Sequence, residues 1–273
     1  MLIDFHTHCF PDKIAKRAIS VLEGNVIKMQ GRNYPARTDG SLGELIKTMK
    51  EDGVDYSVVL PIATTPSQSG SINRFAKEIN GKNGIISFGS VHPLQEDWEE
   101  VLEQIKDDGL LGIKLHPEYQ GVYVTSAEVR RILKKCEELD LYTVFHAGAD
   151  IGMPEPIHCM PECLNHMLDY VSGDKIIAAH MGGWNKWDDV EKYLVGTPIK
   201  FDTSYIKGFL DKERFRQIVR NHGVDKIVFG TDHPWQRANE AVEFIDSAGL
   251  TDDELDRIYF KNAAEILGIN LKD

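Results

Sequence analysis

The chain has 273 residues, with 31 Lys and Arg against 43 Asp and Glu, and a formal net charge of −12. That charge repels a phosphate backbone over most of the surface, which argues against nucleic acid as a partner. No apolar run approaches the roughly 20 residues that span a bilayer, so a membrane partner is not expected either.

The first stretch, MLIDFHTHCF, reads as a strand on which His6 and His8 share one face with Leu2 and Asp4, because successive strand side chains alternate. Residues 9–40 are rich in turn-formers and are the least regular part of the sequence, a long loop with the character of a lid. From Ser41 a repeating unit sets in. SLGELIKTMKEDG carries a Ser N-cap, helical apolar spacing and a closing Gly53, and VDYSVVLPI follows as a buried strand. Helices expected over 72–80, 95–108, 126–139, 162–171, 186–194 and 212–221 precede the strands GIISFGSVHP, LLGIKLHP, LYTVFHAG, KIIAAHMGG, PIKFDTSY and DKIVFGTDHPW.

With the first strand, that makes eight short apolar strands alternating with helices. The pattern predicts an α/β fold, a (β/α)8 TIM barrel, with DDELDRIYFKNAAEILGI as a C-terminal helix closing the outer ring. No linker or composition shift marks a second domain, so residues 1–273 are expected to form one. A doubly wound open sheet is the structural alternative, but no Gly-rich phosphate loop follows the first strand. Four cysteines without a C-x-x-C pair, and no basic segment leading into an apolar run at the N-terminus, fit a reduced, cytoplasmic setting.

In such a barrel the chemistry sits at the C-terminal ends of the strands. His6, His8, His92, Lys114, His116, His146, His180, Asp202, Ser204 and Asp232 all fall there, a shared placement that core packing does not demand. Imidazoles with a carboxylate suit a borderline divalent ion such as Zn²⁺, which activates water at neutral pH, while a carboxylate in the same site carries the proton.

The motifs H-T-H, F-H-A-G, A-H-M-G-G and G-T-D-H-P together resemble the amidohydrolase superfamily. The closer likeness is to its amidohydrolase-related branch, which includes aminocarboxymuconate-semialdehyde decarboxylase. That resemblance implies one tight metal held by His6, His8, His146 and Asp232. It implies that Asp232 also moves the proton and that His180 polarises substrate, positions water or serves a second metal. Lys114 divides the branch: carboxylated, it would bridge a second divalent cation; unmodified, it pairs with a carboxylate such as Asp4 or meets a substrate anion.

Lys114, His116 and Trp235 are the expected substrate-binding residues, with His116 exposed if Pro117 turns it outward. Trp184, Trp187 and Tyr119 are candidates to wall the pocket, and Arg32 and Arg37 to clamp a carboxylate. His158, Cys159, Cys163 and His166 match no common zinc spacing.

The leading expectation is a metal-dependent hydrolase of an amide, lactone or ester-like bond in a small molecule. Its alternatives are a nonoxidative decarboxylase of an aromatic or conjugated acid, a phosphoesterase, which would need more strand-end carboxylates, and a non-catalytic metal-binding barrel. A homodimer is compatible with the sequence.

Overall fold

The computed structural model describes residues 1–271. Its strands are β1 (Ile3–Thr7), β2 (Tyr56–Val59), β3 (Ile85–Ser87), β4 (Gly112–Leu115), β5 (Tyr142–Phe145), β6 (Ile176–Ala178), β7 (Lys200–Asp202) and β8 (Ile227–Val228). The helices are α1 (Asp12–Gln30), α2 (Leu42–Asp52), α3 (Ser69–Ile79), α4 (Trp98–Asp107), α5 (Pro117–Gln120) and α6 (Ala127–Glu138). They continue with α7 (Pro161–His166), α8 (Trp187–Tyr193), α9 (Lys212–His222), α10 (Ala238–Asp246), α11 (Asp252–Asp256) and α12 (Asn262–Leu267).

The strands pair in parallel in chain order, as β1-β2-β3 and as β4 through β8. The two runs meet at both edges. Gly89 donates its N–H to Gly112 O at 2.8 Å and accepts from Lys114 N–H at 2.9 Å, joining the end of β3 to β4. Phe5 N–H donates to Phe229 O at 2.7 Å and Asp232 N–H to His6 O at 2.8 Å, joining β8 back to β1. The result is the closed parallel barrel that the eight-unit repeat predicts.

Buried apolar residues form two clusters. The smaller gathers Ile3, Phe5, Val58, Leu60, Phe88, Val144, Ile177 and Val228, and strand residues from around the ring can meet one another only inside it. The larger joins Val59, Ile113, Phe145 and Phe201 to helix residues such as Leu45, Leu102, Leu133 and Ile218, the layer between strands and helices. Local signals act where expected. Ser41 Oγ accepts from Glu44 N–H to start α2, and Gly53, at φ 72°, ends it in the left-handed conformation. The C-terminal segment packs α12 against β1 and β8, with a π-helical turn over Arg257–Lys261 leading into it.

Two expectations are corrected. Residues 12–30, read as an irregular segment, form the 19-residue helix α1. Its N-terminus has no capping side chain, and Gly24 and Asn25 interrupt its pattern, so local signals for it are weak. It is held by burying Ala15, Ile19 and Val26 on one stripe. In β1 the register shifts between Asp4 and Thr7, so the simple alternation that put Asp4 with His6 and His8 fails. Asp4 bonds Thr231 instead, accepting from its hydroxyl at 2.6 Å and its N–H at 3.0 Å. Burial pushes the Asp4 carboxyl up to about 7.

Candidate metal centre

A cavity of about 850 Å³ opens over the C-terminal ends of the strands and is lined by His6, His8, Lys114, His116, His146, His180 and Asp232. His6 and His8 are delivered by the end of β1, Lys114 by β4, His146 by β5, His180 by the turn after β6 and Asp232 by the turn after β8. His180 and Asp232 adopt the left-handed backbone, at φ 59° and 66°. Non-glycine residues are rarely found there, and the cost of order 1 kcal/mol is the kind of strain that collects at functional sites.

Three donor atoms converge. His8 Nε2 lies 3.0 Å from Asp232 Oδ1, His6 Nε2 lies 3.4 Å from it, and the two Nε2 atoms are 3.2 Å apart. A second pair sits beside them, with His180 Nε2 3.0 Å from His146 Nδ1. The His180 ring links the groups, its centroid 5.4 Å from that of His6 and 4.8 Å from that of His146.

The protonation of each ring follows from what its other nitrogen touches. His6 Nδ1 meets Asp202 Oδ2 at 2.8 Å, His8 Nδ1 meets Leu60 O at 2.8 Å, and His180 Nδ1 meets Ser204 O at 3.0 Å. His146 Nε2 faces Ala149 O at 3.3 Å. A carboxylate or carbonyl oxygen can only accept, so in the neutral, ion-binding form of each ring these four nitrogens carry the protons and the inward-facing nitrogens are bare. Bare nitrogens facing each other at 3.0 to 3.2 Å repel unless a cation stands between them. His6, His8 and Asp232, with the outer nitrogens of both rings anchored, therefore fit a divalent ion, whereas His146 groups with His116 and Asp150 in a second set of donors.

Charges support the same geometry. Burial, with the Lys114 charge adding to it, pushes the His6 imidazole down to about 4, so it stays neutral. Burial works against the Asp232 charge; positive charge on the His8, His6 and His180 rings would hold the carboxyl below its usual range, and with those rings neutral a bound cation takes that part. Burial pushes the Lys114 amine down to about 8, and its Nζ lies 3.2 Å from His6 Nε2.

Other sequence candidates fall in and out of the site. His116 does not turn to solvent: it is buried between the rings of Tyr119 and His146, 4.0 and 4.2 Å between centroids. Its Nε2 lies 3.3 Å from Asp150 Oδ2. Trp235, Trp184 and Tyr119 line the cavity, whereas Trp187 is buried and donates to His180 O at 3.1 Å. His92 caps a turn, accepting from Leu94 N–H at 3.2 Å. Arg37 pairs with Glu240 and Arg32 stacks on Tyr34, so neither is a free carboxylate clamp. His158 bonds Glu118 while His166 bonds Asp169 at 2.8 Å, so that segment builds no metal site.

Sequence reasoning missed Asp150 and gave no role to Asp202. The latter was visible at the end of β7, but only the fold shows that Oδ2 takes the His6 proton while Oδ1 accepts the N–H groups of His180 and Ser204, each at 3.0 Å. Asp150 sits in a loop whose sequence carries no periodic signal.

A barrel with histidines and an aspartate converging at its strand ends defines a class of metal-dependent enzymes. The chain belongs to the amidohydrolase family, whose family model matches residues 3–269. No protein of curated function matches it in sequence. Solved structures share its fold at low identity. A TIM-barrel protein of Bordetella bronchiseptica aligns with TM-score 0.76 and 16% identity, covering 98% of each chain. The 5-carboxyvanillate decarboxylase of Sphingomonas paucimobilis aligns with TM-score 0.69 and 17% identity, covering 98% of this chain and 99% of that one. A probable 2-pyrone-4,6-dicarboxylic acid hydrolase of Acinetobacter baumannii aligns with TM-score 0.67 and 14% identity, over the same shares. Among the described residues, no helix is long and apolar enough to cross a membrane.

Proposed function

We propose that the chain is a metal-dependent hydrolase of a small molecule, acting on an amide, lactone or ester-like bond, with Zn²⁺ as its ion. His6, His8, His146 and Asp232 would hold the tight site. A second divalent ion would be served by His180 and by Lys114 in carboxylated form. The observation that carries this reading is the convergence of His6 Nε2, His8 Nε2 and Asp232 Oδ1 at 3.0 to 3.4 Å, with the His146–His180 pair beside it.

When bound, a divalent ion polarises a carbonyl and lowers the pKa of water toward about 7. The protein's own residues do the rest. Asp232, ionised at neutral pH, accepts a proton from water and returns it to the leaving group. With one ion bound, His180, its Nδ1–H fixed on Ser204 O, leaves a bare Nε2 that can accept from the attacking water. Lys114 and His116 face the cavity as substrate contacts, with Trp235 on its wall.

A nonoxidative carboxy-lyase is the second reading. It is favoured by the decarboxylase among the structural relatives and by an apolar cavity wall that suits loss of a charged carboxylate. Lys114, 3.2 Å from His6, tips the balance to hydrolysis by its place beside the ligands. The test is a panel of lactones, cyclic amides and esters assayed beside aromatic, β-keto and dienoic acids, with CO2 release as the second readout. Hydrolysis that Asp232→Asn abolishes supports the first reading. CO2 release without hydrolysis replaces it with the second.

A further inference from the structure

The chemistry assigned to the strand ends occupies the cavity floor, but most of the cavity wall lies elsewhere. α1 presents Ile14, Arg17, Ala18, Val21, Leu22 and Asn25 to the cavity, positions separated by steps of three and four that form one helical face. The neighbouring stripe, Ala15, Ile19 and Val26, is buried and holds the helix in place, with Val26 also reaching the cavity edge. The cavity-facing stripe needs no such role, yet it is mostly apolar: Ile14 is 51% exposed and Val21 56%. The same space is lined by Ile62, Ile72 and Phe75, from the segment after β2 and from α3, all partly exposed.

Exposed and partly exposed apolar side chains from α1 and α3, continuous with a polar floor, are costly in water and are covered when a ligand enters. The cavity, at about 850 Å³, is also near the upper end of the roughly 300–1,000 Å³ typical of ligand pockets.

We propose that the substrate is amphiphilic, with its reacting carbonyl or carboxyl group at the strand-end histidines and an extended apolar body, longer than a single ring, lying between α1 and α3. The inference rests on the metal-centre reading for the head group and on the cavity walls alone for the body. α1 is then a specificity element: it covers the body and sets its length.

The test uses the full chain loaded with Zn²⁺ and straight-chain alkyl hydroxamates from butyl to octyl, with primary amides of the same lengths as weakly chelating controls, followed by calorimetry. The affinity of the hydroxamates is expected to tighten about fourfold per added methylene. Val21→Asp, a substitution at an exposed position, is expected to remove most of that gain per methylene, and Ile14→Asp to do so independently. Affinity that does not change with chain length in the unsubstituted protein overturns the proposal, as does an unchanged gain in both variants. The head group is judged separately. Hydroxamates and amides that bind equally at every length contradict the metal centre, whereas a hydroxamate preference without chain-length dependence contradicts only the apolar body.

Discussion

Asp202 holds His6 by its outer edge: Nδ1–H donates to Oδ2 at 2.8 Å, with both side chains buried. Because Oδ1 of the same carboxylate accepts from the His180 backbone N–H, one side chain fixes the ring of His6 and the turn that carries His180. Partners of this kind typically cost 10–100-fold in metal affinity when removed. Asp202→Asn is therefore expected to weaken divalent-ion binding by about 10–100-fold, read by competition with a chelator of known affinity. Unchanged affinity would mean that His6 is oriented by its own packing.

Gly230 packs directly against His6 and Asp202. A Cβ there would stand 2.9 Å from His6 Cβ, with Asp202 Cβ at 3.5 Å on the same side. Neither neighbour can yield without moving a proposed ligand or its anchor. Gly230→Ala is expected to destabilise the fold by about 1–3 kcal/mol, by overpacking, and to reduce metal affinity with it. Denaturant unfolding of the metal-free protein measures the first effect and chelator competition the second. Wild-type values for both would contradict the close approach.

Away from the site, His222 offers a clean reading of acid sensitivity. Its Nε2–H donates to Ile199 O at 2.8 Å, Nδ1 accepts from Gly196 N–H at 3.2 Å, and the ring stacks 3.9 Å from that of Phe201. Burial, and then the Lys226 charge, push this imidazole down to about 4. The unfolded chain thus binds a proton that the folded one refuses between pH 6.5 and about 4, so stability rises with pH across that window. The contribution is fully present above pH 6.5 and lost as pH falls toward 4, up to about 3 kcal/mol. His222→Asn is expected to lower stability at pH 7 and to flatten the pH dependence by about one proton, measured by urea unfolding of the metal-free protein from pH 7 to 4. A slope identical to wild type would show that His222 takes up its proton over the same pH range folded as unfolded.

The barrel and its strand-end histidines were legible because both depend on local alternation. H-T-H can place two rings on one side of a strand, and each F-H-A-G or A-H-M-G-G segment carries its imidazole where a strand ends. What depended on irregular backbone was not legible. The register shift in β1 sends Asp4 to Thr231, away from the Lys114 partnership expected of it. His116 is kept inside by stacking on residues from two other segments, Tyr119 and His146, which no local pattern reveals. α1 lacked a capping side chain at its N-terminus, and Gly24 and Asn25 break its run, so its cavity-facing stripe emerges only once the barrel beneath it is in place. Asp202 was visible as a strand-end residue, but its function is a relationship with His6, 196 residues away.

The account turns on whether the inward-facing nitrogens hold a cation. Elemental analysis of protein purified without added metal, repeated after reconstitution with Zn²⁺ or Mn²⁺ and dialysis, measures this directly. The expected result is at least one divalent ion per folded chain, lost from a His6→Ala, His8→Ala double variant that retains its far-ultraviolet circular dichroism. A folded, unsubstituted chain that retains no divalent ion under any of these conditions would contradict the metal centre and the chemistry built on it.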